Sequence, residues 1–233
     1  MINQKVNRGY VEGEKEIKPF YDLRKEQLIE LFESDVATDR TIAIRCLHKG
    51  KLFTKEDIKY LCESLMNEKK LYVRLEIEKV LTDIGAENLP VLISYLSLIG
   101  NNRHLSRGKT SLKKSYPLPR DIIARIIGHF DLENVNVDTL YEMMFTLERN
   151  QLSEMIDGIG FLTFYNPSLS TEVYFNRMKL FVRSKYLGDD LIMWKFYMYC
   201  SAFSKIKECR EFLHGELIRT DGDSEIVRSL QFL

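Results

Sequence analysis

The residues best suited to chemistry lie in one stretch. NNRHLSRGKTSLKKSYP, residues 101 to 117, holds five lysines and arginines, one histidine and no acid, in a chain whose 34 basic and 34 acidic residues cancel. Such a run can form a local anion-binding edge for an acidic partner segment or a phosphate backbone. Its candidate contacts are Arg103, Arg107, Lys109, Lys113 and Lys114, with Arg120 just beyond. The competing expectation is a solvated insertion whose cations keep it off the core, and on either expectation its replacement by a short Gly-Ser linker leaves the fold unchanged.

No other constellation carries chemistry. RGKTS ends like a phosphate-binding P-loop, but that loop needs a first glycine five residues before the second, and the chain has Arg103 there. The amphipathic VLISYLSLIG that precedes it is a helix pattern, whereas a P-loop follows a strand. His48, His104, His129 and His214 are widely separated, with no HxxxH or HExxH spacing for a metal. DGDSE at 221 to 225 lacks the later ligands of a calcium loop, and its Asp223 is expected to cap the last helix. Glu142, Glu148, Glu154 and Asp157 show no paired spacing of an acid/base couple and are expected on solvated faces. No catalytic residue, metal ligand or cofactor is assigned. Cys46, Cys62, Cys200 and Cys209 form no CxxC and lie in apolar runs, so buried reduced thiols are expected.

The elements that must position these residues are helices. In TKEDIKYLCESLMN the apolar residues Ile58, Leu61, Cys62, Leu65 and Met66 fall at helical spacing, behind an N-cap at Thr54. KLYVRLEIEKVLTDIG repeats the pattern and stops at Gly85; NLPVLISYLSLIG follows, with Pro90 in its first turn and Gly100 closing it. RTIAIRCL from Arg40, RLEIEKVL from Arg74 and RDIIARII from Arg120 share an arginine with apolar residues three, six and seven positions on. Fainter copies begin at Ser153, Asp190 and Asp223, so the starts lie 34, 46, 33, 37 and 33 residues apart. A second helix fits each interval, at 54 to 67, 87 to 99, 136 to 149, 169 to 185 and 206 to 218. Such pairs bury their apolar faces only by stacking, which predicts an α-solenoid. The long interval contains the basic stretch, as roughly a dozen residues inserted between repeats. GDDLIMWKFYMYCSAF, from Gly188, is apolar all round, the pattern of a helix buried on several sides or of an aromatic groove for a partner helix.

YVRLEIEKVLTDIGAENLPVLISYL, residues 72 to 96, resembles a HEAT-type repeat through Val73, Arg74, Ile84, Gly85, Pro90, Leu92 and Ile93. The match is moderate at 40 to 66, weak from 120, and after about 150 rests on hydrophobic spacing alone. The resemblance implies an all-α, right-handed α-solenoid of stacked antiparallel helix pairs, of armadillo type, whose second helices line a concave binding face. The expected organisation is one domain over 1–233, with an N-terminal arm or cap at 1–23 and the basic insertion at 101–117. The leading functional expectation is a non-catalytic scaffold binding a protein or peptide, with Tyr60, Tyr95 and Tyr141 as concave-face contacts. The alternative is a nucleic-acid-binding protein, because HEAT-like alkylpurine DNA glycosylases share this size and repeat type. Those enzymes place several tryptophans, an aspartate and arginines in a cationic groove; this chain has one tryptophan, Trp194, in a stretch with a core pattern.

Composition bounds the partners. Apolar residues at 45% and charged residues at 29% are globular values. A net charge of zero supplies no whole-molecule attraction for nucleic acid or anionic membrane. The N-terminus lacks the apolar core of a signal peptide, and LPVLISYLSLI is too short to span a bilayer, so a soluble cytoplasmic protein is expected.

Overall fold

The computed structural model describes residues 2–232, with side chains from residue 4. The described residues form α-helices and short 3-10 turns, with no strand. No helix among them is long and apolar enough to cross a membrane. Cα proximity divides the chain into two compact units, one ending at Tyr95 and the other beginning at Leu96.

The N-terminal unit contains α1 (Ile2–Val6), α2 (Glu14–Ile17), α3 (Lys25–Phe32), α4 (Ala37–Lys49), α5 (Ile58–Asn67), α6 (Leu71–Ile84) and α7 (Leu89–Ser94). The apolar stripes repeated from Arg40 and Arg74 meet where α4 packs on α6, burying Ala43, Leu47, Ile77 and Leu81 completely. The arginines that open these two stripes hold backbone carbonyls of a preceding segment. Arg40 Nη1 donates to the Ser34 carbonyl at 2.7 Å, and Arg74 Nη1 to the Glu68 and Leu65 carbonyls at 2.8 and 3.1 Å. The N-terminal arm is pinned across both helices, since Thr41 Oγ1 donates to the Gly9 carbonyl at 2.7 Å and the Tyr72 amide to that of Arg8 at 3.1 Å. Gly9 makes this crossing at φ +87, where a Cβ would lie 2.9 Å from Val73 Cγ2.

The C-terminal unit contains α8 (Ile122–Gly128), α9 (Val137–Met144), α10 (Arg149–Tyr165), α11 (Glu172–Tyr186), α12 (Asp190–Cys200), α13 (Lys207–Arg219) and α14 (Ser224–Leu230). Polar caps set the helix starts: Asp121, Asn136, Thr171, Asp189 and Asp223 each accept an amide of the first turn. Helix α10 packs on α8 and α12, and α12 on α14, while α9, α11 and α13 flank that row. Gly158 lets α10 approach α8, because a Cβ there would sit 2.7 Å from the Ala124 carbonyl oxygen.

The helices follow the expected alternation, with local differences. Helix α7 ends at Ser94, because Ser97 turns the chain at φ +67. Helix α9 ends at Met144, freeing Glu148 to become the N-cap of an α10 that starts at Arg149. The four cysteines are buried and unpaired, and burial raises the Cys62 thiol to about 12.

Candidate functional site

The site is built on α10 and α12. Helix α12 is buried from Leu191 to Cys200, including Lys195, which has no exposed surface. A buried ammonium requires partners. Lys195 Nζ donates to Glu154 Oε1 at 3.0 Å and to Asp157 Oδ2 at 2.9 Å, both from α10. Burial works against the Lys195 charge, but the Asp157 and Glu154 carboxylates outweigh it and its pKa lies above the ordinary lysine value. Burial in turn pushes Asp157 up to about 6, against the pull of the Lys195 charge. Asp157 Oδ1 and Glu154 Oε2 accept no hydrogen bond from the described residues. The expectation that Glu154 and Asp157 lie on solvated faces is overturned, because a lysine in the middle of the apolar α12 needs both.

The basic stretch covers this floor. It has no regular secondary structure, yet it is tied down along its length. Arg107 forms a bidentate pair with Asp223, Nη1 to Oδ2 at 2.6 Å and Nη2 to Oδ1 at 2.8 Å, and lies 3.5 Å from Asp190. Thr110 and Ser224 share a hydroxyl hydrogen bond of 2.8 Å. From α14, Arg228 Nη2 donates to the Ser115 carbonyl at 2.9 Å, while Nη1 donates to Glu225 Oε1 at 2.9 Å. Glu225 also accepts from Trp194 Nε1 at 3.2 Å. The ring of His104 stands edge-on to Trp194 at 4.9 Å. Partial burial, then the Lys195 and Arg120 charges, lower the His104 pKa to about 4. Tyr116 lies 2% exposed between Phe161 and Phe164, its hydroxyl directly over Gly160. The picture of a solvated, replaceable insertion is therefore corrected: ion pairs and buried rings fix the stretch to α10, α12 and α14.

Between segment and floor runs a cleft of about 620 Å³, a volume within the usual range of ligand pockets. Lys109, Lys113 and Arg120 stand exposed along it, without an ion-pair partner among the described residues. Trp194, Phe161 and Met198 give it apolar walls. Asp157, Glu225, Tyr116 and His104 supply its polar lining, and three atoms of these residues, closed to solvent, have no hydrogen-bond partner among the described residues: Asp157 Oδ1, Tyr116 Oη and His104 Nδ1. Buried polar groups are rarely left so. Such a cleft can hold a ligand by charge at its rim.

Of the six basic candidates, Lys109, Lys113 and Arg120 line this cleft. Lys113 and Lys114 line a neighbouring hollow of about 680 Å³ against α14. Arg103 borders a pocket of about 70 Å³ beside Glu154. Arg107 is committed to Asp223 and is not offered to a partner. The tyrosines expected to be exposed together are not. Tyr141 is fully buried, its hydroxyl 2.6 Å from that of Tyr199, and Tyr95 is 9% exposed with its hydroxyl on Glu63 at 3.4 Å. Both phenols are consumed by core packing. Tyr60 is half-buried, edge-on to Phe32 at 5.4 Å. The cleft residues His104, Tyr116, Asp157 and Glu225 were not foreseen as a site.

No family model matches this chain, and no curated protein or solved structure is significantly similar to it.

Proposed function

We propose that this chain is a non-catalytic interaction scaffold, a HEAT-like array of helix pairs with a right-handed superhelix, that binds an acidic segment of a protein partner in the cleft of its C-terminal unit. One observation carries the reading. Three cations without an ion-pair partner among the described residues, Lys109, Lys113 and Arg120, stand exposed along one cleft. The recurrence of first helices that open near Arg40, Arg74, Arg120, Ser153, Asp190 and Asp223, the first five each followed by a second helix, supports the repeat architecture.

A second reading, nucleic acid, is favoured by the cationic rim beside the half-exposed ring of Tyr165, since strand-binding grooves combine cations with aromatic platforms. It ranks below the first because the other rings are spent on packing. Trp194 is covered by His104 and Gly108, and Tyr116 and Phe161 are buried.

The test is fluorescence anisotropy with a labelled glutamate-rich peptide and with labelled single-stranded and duplex DNA, across a salt series. Peptide binding that is lost in the Lys109→Glu/Lys113→Glu variant is expected, with no DNA binding. DNA binding with a steep salt dependence, and none of the peptide, would move the function to nucleic acid.

A further inference from the structure

We infer that the acidic partner segment carries a large apolar side chain beside its acids, and that this side chain docks in the hollow of about 680 Å³ between the basic stretch and α14. The inference rests on reading the neighbouring cleft as the site of an acidic segment. Its first observation is exposed apolar surface gathered in one place. Leu112 is 98% exposed and Val227 is 43% exposed, and both line the hollow together with the half-buried ring of Phe232. A single exposed leucine is ordinary on a protein surface. Three apolar side chains lining one concavity offer area that a ligand can cover.

The lining is also held in place without a ligand. Arg228 is its one buried residue. The guanidinium lies over the Phe232 ring at 5.0 Å and is fastened to the Ser115 carbonyl and to Glu225 Oε1, each at 2.9 Å. Phe164 meets the same ring edge-on at 5.6 Å. Thr110 and Ser224, whose hydroxyls join the stretch to α14 at 2.8 Å, complete that frame. A ring ordered beforehand lowers the entropy lost on binding.

The second observation is charge. No acid lines the hollow among the described residues, whereas Lys113 and Lys114 stand exposed in it without an ion-pair partner there. Arg228 spends its own charge on Glu225. A cationic ligand is repelled, and a neutral one leaves both ammoniums unanswered. Lys113 and Ser111 line the hollow and the cleft alike. A chain whose acids answer Lys109 and Arg120 in the cleft therefore reaches the hollow across Lys113. The cations select an acidic segment, and the apolar lining between them asks that one of its residues be a large apolar anchor.

The experiment is calorimetric titration of the full chain with the synthetic peptide Glu-Glu-Gly-Phe-Gly-Glu-Glu and with its twin carrying alanine at the centre. The phenylalanine peptide is expected to bind about tenfold more tightly or better, the scale of burying one phenyl ring. Leu112→Ser and Val227→Ser, at exposed positions outside the core, should each shrink that ratio and together bring it near one. Lys109→Glu with Arg120→Glu, which line the cleft and not the hollow, should weaken both peptides alike and leave the ratio in place. Equal affinity of the two peptides for the native chain, or a ratio that the two serine changes do not move, overturns the apolar anchor site and leaves the acidic-segment reading standing. Failure of both peptides to bind overturns the two together. Co-sedimentation with phosphatidylserine vesicles that Leu112→Ser abolishes, in place of any peptide binding, would assign the leucine and the lysines to a membrane surface instead.

Discussion

Arg107 and Asp223 lie 116 residues apart and meet in a bidentate ion pair of 2.6 and 2.8 Å. The same carboxylate caps α14, accepting the Glu225 and Ile226 amides at 2.8 and 3.4 Å. One side chain thus starts the last helix and fastens the segment that roofs the cleft.

Removing it should release both. Asp223→Ala is expected to cost about 2 kcal/mol, a cap plus a charge-assisted pair, and Arg107→Ala about 1 kcal/mol. Urea denaturation measures the cost. Limited proteolysis should cut first within residues 101 to 117 in both variants and more slowly in the native chain.

Gly160 is required by the ring above it. A Cβ at this position would fall 2.0 Å from Tyr116 Oη and 2.6 Å from Cζ, closer than any relaxed contact. Gly160→Ala is expected to destabilise by about 1–3 kcal/mol through overpacking. Adding Tyr116→Leu should recover most of that loss in a thermal melt.

The buried triad should behave as a unit. Lys195→Met leaves Glu154 and Asp157 without their ammonium and is expected to cost about 3–5 kcal/mol at neutral pH. Combining it with Glu154→Gln and Asp157→Asn should restore much of the stability, because no buried charge is then uncompensated. Equal damage from the single and triple variants would show that packing, not charge, dominates here.

The periodic part of the fold is legible in the sequence, and the site is not. Stripes opened by Arg40 and Arg74 locate α4 and α6, and the spacing from Ser153 and Asp190 locates α10 and α12, because apolar period reports which face of a helix is buried. Arg120 opens the same stripe, yet its side chain stands at the cleft rather than on a carbonyl. Period says nothing of pairs such as Arg107 with Asp223, which depend on where an irregular segment returns. Two signals could have revealed the floor. Lys195 within DLIMWKFYMYC has to be neutralised by something buried, and Gly158 with Gly160 inside a helix marks close approach. Tyr141 misled because a phenol on a second helix is equally suited to a surface or, paired with Tyr199, to a core.

His104 and Asp157 give opposing pH signatures. His104 has a folded pKa near 4, below its ordinary value of 6.5, so its contribution to stability is present above 6.5 and lost as pH falls through about 4. Asp157 has a folded pKa near 6, above its ordinary 3.8, so its contribution is present below 3.8 and lost as pH rises through about 6. Between pH 4 and 6.5, His104→Phe should therefore remove a loss of stability on acidification. Asp157→Asn should steepen that loss. Melting curves of the two variants across this range, with the histidine midpoint read by NMR, check both signs.

Trp194 is the chain's one tryptophan, and its indole N–H, bonded to Glu225, lies in the wall of the cleft. In a ¹H–¹⁵N spectrum it gives a single indole resonance that reports on the site alone. Titration with the glutamate-rich peptide should move that resonance progressively to a saturated position, and Lys109→Glu with Lys113→Glu should abolish the movement. A peptide that binds by calorimetry while the Trp194 resonance stays fixed would contradict the cleft as the binding site.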